Sequence, residues 1–267
     1  MKSSRFLVSL ALSLLSGCAV VERIVCVPAT VPHQGRGHSA QRPIDVRPKT
    51  KIASRHQTLL VSASERILPA WTVPSSRPAT ILTSALTPSE LFKKLNSAVY
   101  AVMVPGKMTE QVISQGSAVA VSPKEAITNC HVVASANRVT LANSVAKHSA
   151  EVVSADPSKD RCYLRVLDGG LEPVAGLRDY TTLTVGEVVF TIGSPKGLVN
   201  TLSHGLLSGL RSSEDNVEYI QISAPVSEGS SGGGVFDDRG NLIGVITFTI
   251  PDSQNLNFAI AASQFWR

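Results

Sequence analysis

From Ala98 onward the chain is a succession of short apolar runs separated by turn residues. Runs rich in Val, Ile and Ala fall at Ala98–Val104, Val112–Val121, Glu125–Thr128, Arg138–Leu141, Ala150–Val153, Cys162–Val166, Glu187–Ile192, Gly205–Leu210, Tyr219–Ile222, Gly234–Phe236, Leu242–Thr249 and Asn257–Ile260. Most have the length of a strand, and Gly, Pro, Asn, Asp or Ser punctuates the gaps. Helical periods between them are too scarce for a parallel α/β sheet. The pattern therefore predicts an all-β sandwich or barrel, although the period alone does not separate one barrel from two. Just ahead of it, Thr87-Pro88-Ser89-Glu90 reads as a helix start and Leu91–Leu95 as a short helix.

Upstream the pattern is different. Residues 19–88 hold about half of the prolines, with scattered Arg, Ser and Thr and no sustained period. They read as a basic, mostly disordered tether, with one short strand at Ile81–Leu86. Residues 1–18, MKSSRFLVSLALSLLSGC, read as an export signal. Lys2 and Arg5 give a positive start, Phe6–Leu15 an apolar core, and Leu15-Ser16-Gly17 small residues before Cys18. The apolar run is about half of the ~20 residues a bilayer span needs. Leu15-Ser16-Gly17-Cys18 resembles a bacterial lipobox. That resemblance implies acylation of Cys18 and, with Ala19 next, the periplasmic face of the outer membrane.

Charge fits this division. The net charge of +5 comes from the tether and signal, and from Ser89 onward acids slightly outnumber bases. A nucleic-acid partner is thereby disfavoured. Apart from Cys18, Cys26, Cys130 and Cys162 remain, an odd number that leaves at least one thiol free or paired between chains. No His/Cys cluster has zinc spacing, and no cofactor or metal is expected.

A serine nucleophile needs a base, a group that orients the base, and N–H donors for the oxyanion. Gly229-Ser230-Ser231-Gly232-Gly233 can turn sharply, project the Ser231 hydroxyl and bring N–H groups together. By itself such a stretch is more often a flexible turn, and it becomes specific only in context. An apolar strand ends at Ile127-Thr128-Asn129-Cys130-His131, and Asp160 enters the apolar stretch Cys162-Tyr163-Leu164. Asp156, before Pro157, is the rival orienter, and Asp168 reads as a turn residue. His148 and His204 read as structural, while His33, His38 and His56 lie in the tether.

Together these segments resemble the HtrA/Deg branch of the chymotrypsin-like proteases. The family's TNxHVV stands at Thr128–Val133, its DxAxL at Asp160–Leu164 with Cys162 for the small residue, and its GNSGGP at Gly229–Gly234 with Ser230 for Asn and Gly234 for Pro. Ile192-Gly193-Ser194-Pro195, Gly205-Leu206-Leu207-Ser208, Gly240–Val245 and Asn257–Ile260 are similar to further family segments, so the resemblance covers roughly residues 90–262. It implies two six-stranded antiparallel β-barrels of the chymotrypsin-like fold in a domain at 89–267. The first spans about 96–178 and the second about 179–262, meeting near Leu177–Thr182. It implies a serine endopeptidase acting on exposed segments of envelope polypeptides, with His131, Asp160 and Ser231 as triad. Gly229, Ser230 and Ser231 would form the oxyanion hole.

Pro225, Val226, Thr247, Phe248, Thr249 and Asn257 are expected to shape the specificity pocket. None is acidic, so small or medium apolar side chains should fit best. Cys130 and Cys162 flank the proposed base and orienter and form either a disulfide or two buried thiols. The family's PDZ domains are not expected here, and the oligomeric state is open. The alternatives are a catalytically silent protease-fold binding module and a structural envelope lipoprotein. Membrane fractionation checks the anchor: Cys18→Ala is expected to move the chain from the membrane to the soluble fraction, and unchanged membrane association would contradict lipidation.

Overall fold

In the computed structural model the strand-length runs close into two barrels, and alternation along each strand sorts side chains between barrel interior and barrel interface. The described residues are 68–105, 112–134, 136–250 and 254–267. They fall within one compact unit, Lys51–Arg267. The expected signal, Cys18, Cys26 and the expected tether up to residue 67, with His33, His38 and His56, lie outside them.

The first barrel comprises β1 (Val99–Pro105), β2 (Val112–Ser122), β3 (Glu125–Thr128), β4 (Arg138–Ala142), β5 (Lys147–Asp156) and β6 (Arg161–Val166). Its closed order is β1-β2-β3-β6-β5-β4. The second comprises β8 (Val188–Gly193), β9 (Thr201–Ser212), β10 (Glu218–Ile222), β11 (Gly234–Asp237), β12 (Asn241–Thr249) and β13 (Asn257–Ala261). Its order is β11-β8-β9-β10-β13-β12, closed by pairing of β11 with β12. These are two closed six-stranded antiparallel barrels, as expected. A two-residue strand, β7 (Gly176–Leu177), adds to β12 in parallel. This strand ends at Leu177, the first residue of the boundary expected near Leu177–Thr182. Two residues in parallel pairing leave no alternation to read.

Closure pairs most of the sheet edges, and the alternation then defines three cores. On β2, Ala118 and Ala120 point into the first barrel with Val102, Leu141 and Leu164. Val119 and Val121 point the other way, to an interface core shared with Phe190, Ile192, Phe236 and Phe265. The second barrel is filled by Val189, Leu207, Ile220, Val235 and Ile243 among others. The helix α1 (Pro88–Leu95) starts where its sequence directs. The Thr87 side chain accepts from Glu90 N–H while the Glu90 carboxylate accepts from Thr87 N–H at 2.9 Å. Leu91 and Leu95 then bury into the interface core.

Residues 68–87, assigned to the tether from composition, form an ordered strap across both barrels. On the first barrel Ala155 N–H donates to Pro69 O at 3.0 Å, and Thr72 N–H to Ser154 Oγ at 2.6 Å. On the second, Leu82 and Asn241 exchange two hydrogen bonds, and Leu86 N–H reaches Asp238 O at 2.9 Å. Trp71 lies over the Arg161 guanidinium, 4.3 Å from ring centroid to Cζ. Arg161 is 1% exposed. It also pairs with Asp156 at 2.7 Å and donates to the carbonyls of Gln264 and Arg267. The strap bonds largely through its backbone to scattered partners, many of them side chains, so it carries no periodic pattern.

Burial alone would raise the Asp156 carboxyl, but hydrogen bonds from Ser158, Arg161 and Lys159 N–H outweigh it and hold the group below the usual carboxylate range. A lowered native value contributes stability that is present above the unfolded pKa of ~3.9 and is lost as pH falls through the native one. Asp156→Asn is therefore expected to lower stability by about 1–3 kcal/mol at pH 7. Urea midpoints measured down the pH scale should converge with the wild type below the native carboxyl pKa.

Candidate active site

Three chemistry-bearing segments meet where the barrels face each other. His131 sits in α2 (Cys130–Val133), a single turn that follows β3. Asp160 ends the tight turn Pro157–Lys159 in left-handed backbone, φ 54° and ψ 41°, a conformation that Asp tolerates better than most residues. That turn is fixed by Asp156, whose carboxylate accepts from Lys159 N–H at 3.2 Å. Asp156, the rival orienter, is thereby committed to its turn and to Arg161. Asp168 is exposed in a bend.

The Asp160 carboxylate is met from both barrels. It accepts from His131 N–H at 3.0 Å through Oδ1, and Oδ2 lies 2.8 Å from His131 Nδ1. Thr247 Oγ1, on β12, donates to the same Oδ2 at 2.9 Å. The Thr247 carbonyl in turn accepts from Ser231 Oγ at 3.1 Å. Ser231, Thr247, Asp160 and His131 form one hydrogen-bonded chain. A carboxylate at Nδ1 selects the tautomer with the proton on that nitrogen, which makes Nε2 the basic one. Asn129 supports the turn from behind, donating from Nδ2 to the Asp160 carbonyl at 3.1 Å. Tyr219 backs the site; burial pushes its phenol up, and the Asp160 and Asp215 carboxylates add to the shift.

The glycines around Ser231 are required by space. Gly229 has φ 91°, and a Cβ there would come within 2.6 Å of the Ser194 carbonyl oxygen. Gly232 has φ 85°, and its Cβ would overlap the Ser117 carbonyl oxygen. Lys196 N–H donates to Glu228 O at 2.8 Å. In a trans peptide this turns Gly229 N–H to the opposite side. Ser230 N–H, grouped from sequence with the oxyanion donors, instead donates to Ser227 O at 2.9 Å and belongs to the turn. Gly229 and Ser231 are the remaining donor pair.

Of the expected pocket residues, Pro225 and Thr249 are exposed, and Val226 packs on the second-barrel core. Phe248 stacks on Phe258 at 4.9 Å and meets Tyr219 edge-on at 5.7 Å. Asn257 differs from expectation. It is buried, and its Nδ2 donates to Ala224 O at 2.8 Å, so it ties the 224–226 segment to β13 rather than facing a ligand. His148 lies beside Tyr100 and His204 beside Phe190. Among the described residues no group of three or more His, Cys, Asp or Glu side chains could hold a metal ion.

One residue near the centre was not legible in the sequence. Ser117, fully buried on β2, bonds to both the Gly229–Ser231 loop and the Ser194 turn. Nothing in Gln115-Gly116-Ser117-Ala118 separates it from an ordinary small strand residue.

Cys130 and Cys162 are joined in a disulfide, with Cα atoms 4.9 Å apart. The bond links the residue before His131 to the residue two after Asp160, so it fixes these two side chains to each other. Of the two states left open by sequence, the structure shows the bonded one.

The trypsin-like peptidase domain family matches residues 116–245. Among curated proteins, the chain is 33% identical over 165 residues to the periplasmic serine endoprotease DegP of Salmonella typhimurium, covering 58% of this chain and 34% of that protein. It is 38% identical over 133 residues to the chloroplastic protease Do-like 1 of Arabidopsis thaliana, covering 45% and 30%. Among solved structures it is similar to the HtrA-type protease AlgW with decapeptide: TM-score 0.60, 26% identity, 67% of this chain and 65% of that one. For Deg5 the values are 0.55, 29%, 66% and 88%. The chain spans about a third of the length of these curated relatives.

The disulfide yields a test that needs no activity. Alkylation of the denatured chain without reductant is expected to label two fewer of its four cysteines than after reduction. Replacing both Cys130 and Cys162 by Ala should lower stability by about 3–4 kcal/mol in urea titrations.

Proposed function

We propose that this chain is a serine endopeptidase of the HtrA type, cutting exposed, extended segments of envelope proteins. The chain Ser231–Thr247–Asp160–His131 carries the reading. The trypsin-like peptidase match and the serine-protease relatives support it from outside the site.

Ser231 Oγ attacks the scissile carbonyl carbon while His131 Nε2 takes its proton. Asp160 holds the ring and stabilises the imidazolium. Negative charge on the former carbonyl oxygen is met by the N–H groups of Gly229 and Ser231. Collapse of the adduct passes the His131 proton to the leaving amine and leaves an acyl group on Ser231. Water, deprotonated by His131, then releases it.

β11 pairs with β12 no further than Val245, whereas β13 continues to Thr249. One edge of Thr247–Thr249 thus lacks a ladder partner among the described residues. An extended substrate can add there as a strand, presenting its scissile bond to Ser231. Pro225, Val226 and Phe248 give a neutral, largely apolar surround, which favours small or medium apolar side chains before the cut. The relatives' periplasmic setting and the lipobox at Cys18 support an exported, lipid-anchored protein on the periplasmic face.

One observation favours a second reading. The Ser231 hydroxyl is directed at the Thr247 carbonyl. Were that bond to persist with a peptide in the cleft, the fold would be a silent binding module. A fluorophosphonate probe separates the two readings. Wild type is expected to be labelled and to cut a peptide library after apolar residues, whereas Ser231→Ala takes no label and loses at least about 10³-fold in cleavage. An unlabelled wild type, or cleavage mainly after Lys or Arg, would count against the corresponding part of the proposal.

A further inference from the structure

We infer that Ser117 is a positioning residue that holds the oxyanion-forming loop in its donor-competent shape, through a buried hydroxyl shared between two loops of the opposite barrel. The inference rests on the proposed peptidase reading.

The argument starts from the alternation of β2. Ser117, Val119 and Val121 share the face that packs on the second barrel, and two of the three are apolar. A hydroxyl on that face is stable only if it is fully bonded. Ser117 is, on every polar atom. Its Oγ donates to Gly229 O at 2.9 Å and accepts from Ser194 N–H at 2.9 Å. Its N–H donates to Ser231 O at 2.7 Å, and its carbonyl accepts from Thr128 Oγ1 at 2.7 Å. The close approach needs Gly116, where a Cβ would fall 2.6 Å from the Val132 methyls and 2.8 Å from Ser231 O.

These bonds, with one from Lys196, fix three peptide planes of the nucleophile loop. Lys196 N–H sets the Glu228 carbonyl, Ser117 Oγ sets the Gly229 carbonyl, and Ser117 N–H sets the Ser231 carbonyl. The Ser194–Lys196 turn that supplies the first of these is itself pinned by Ser117 Oγ. Removing one hydroxyl therefore loosens two of the three restraints. The Glu228–Gly229 plane, which carries the Gly229 N–H and is held through the Ser194–Lys196 turn, can then rotate, because φ 91° at a glycine is one of several accessible values. Rotation would move the Gly229 N–H off the site of the developing charge. Substrate binding along Thr247–Thr249 would be untouched, since Ser117 bonds to no atom of that strand among its described contacts.

The test compares Ser117→Ala with Val119→Ala, a packing change on the same face of the same strand. Ser117→Ala is expected to lower kcat per fluorophosphonate-titrated site about tenfold with KM within twofold. Its inhibition constant for a peptide boronate, whose adduct carries negative charge in the same place, should rise by a similar factor. Val119→Ala should lower Tm while leaving kcat per titrated site and the boronate constant unchanged. If Ser117→Ala behaves like Val119→Ala, or raises KM instead of lowering kcat, the positioning role is overturned. Failure of the peptidase reading looks different: the wild type itself would not be labelled.

Discussion

A carboxylate taken out of water must be surrounded by donors, and the Asp160 side chain is only 19% exposed. Its donors come from two places that folding must bring together. His131 supplies two from the first barrel and Thr247 one from the second. The charge is fully satisfied only when the barrels are docked. The docking itself is driven by the apolar interface core of Val119, Ile192, Phe236 and Phe265. Non-directional burial brings the surfaces close, and a few directional bonds then decide their register.

Those directional bonds form a polar seam through an otherwise apolar interface. Asn200 donates from Nδ2 to the Asn96 and Val99 carbonyls and so ties the Ser194–Asn200 loop to the entrance of β1. Ser117 ties the other end of that loop. The loop bordering the proposed nucleophile is therefore anchored on the opposite barrel at both ends. The disulfide between Cys130 and Cys162 does for His131 and Asp160 what the seam does for Ser231. Each half of the site is fixed locally, and the halves are then joined through Thr247.

What was legible in the sequence follows the same division. His131, Asp160 and Ser231 became candidates through the short motifs that carry the family resemblance, and around Ser231 the motif glycines answer to local space, as Gly229 and Gly232 do. The strands could be read where alternation was complete. β5 and β9 extend further than their apolar runs because Lys147, His148, Thr201 and Ser203 occupy exposed or half-exposed ladder positions. Ser117, the strap and the commitment of Asn257 were not legible. Each depends on a partner about 30 to 190 residues away that leaves no mark on adjacent residues. Composition misassigned residues 68–87 because Pro, Ser and Arg suit an extended segment whose backbone bonds to scattered partners as well as one in water.

The strap also has a consequence for timing. Its anchoring groups on the second barrel include Asn241 and Asp238, and Trp71 Nε1 donates to the carbonyl of Arg267. A chain that leaves the ribosome or a translocation channel N-terminus first presents residues 68–87 early, yet almost the whole domain must follow before they have anywhere to bind. Contacts of such long sequence separation form late. The strap is a clasp that can be fastened only once both barrels exist, and its fastening marks the point at which the pair of barrels is closed.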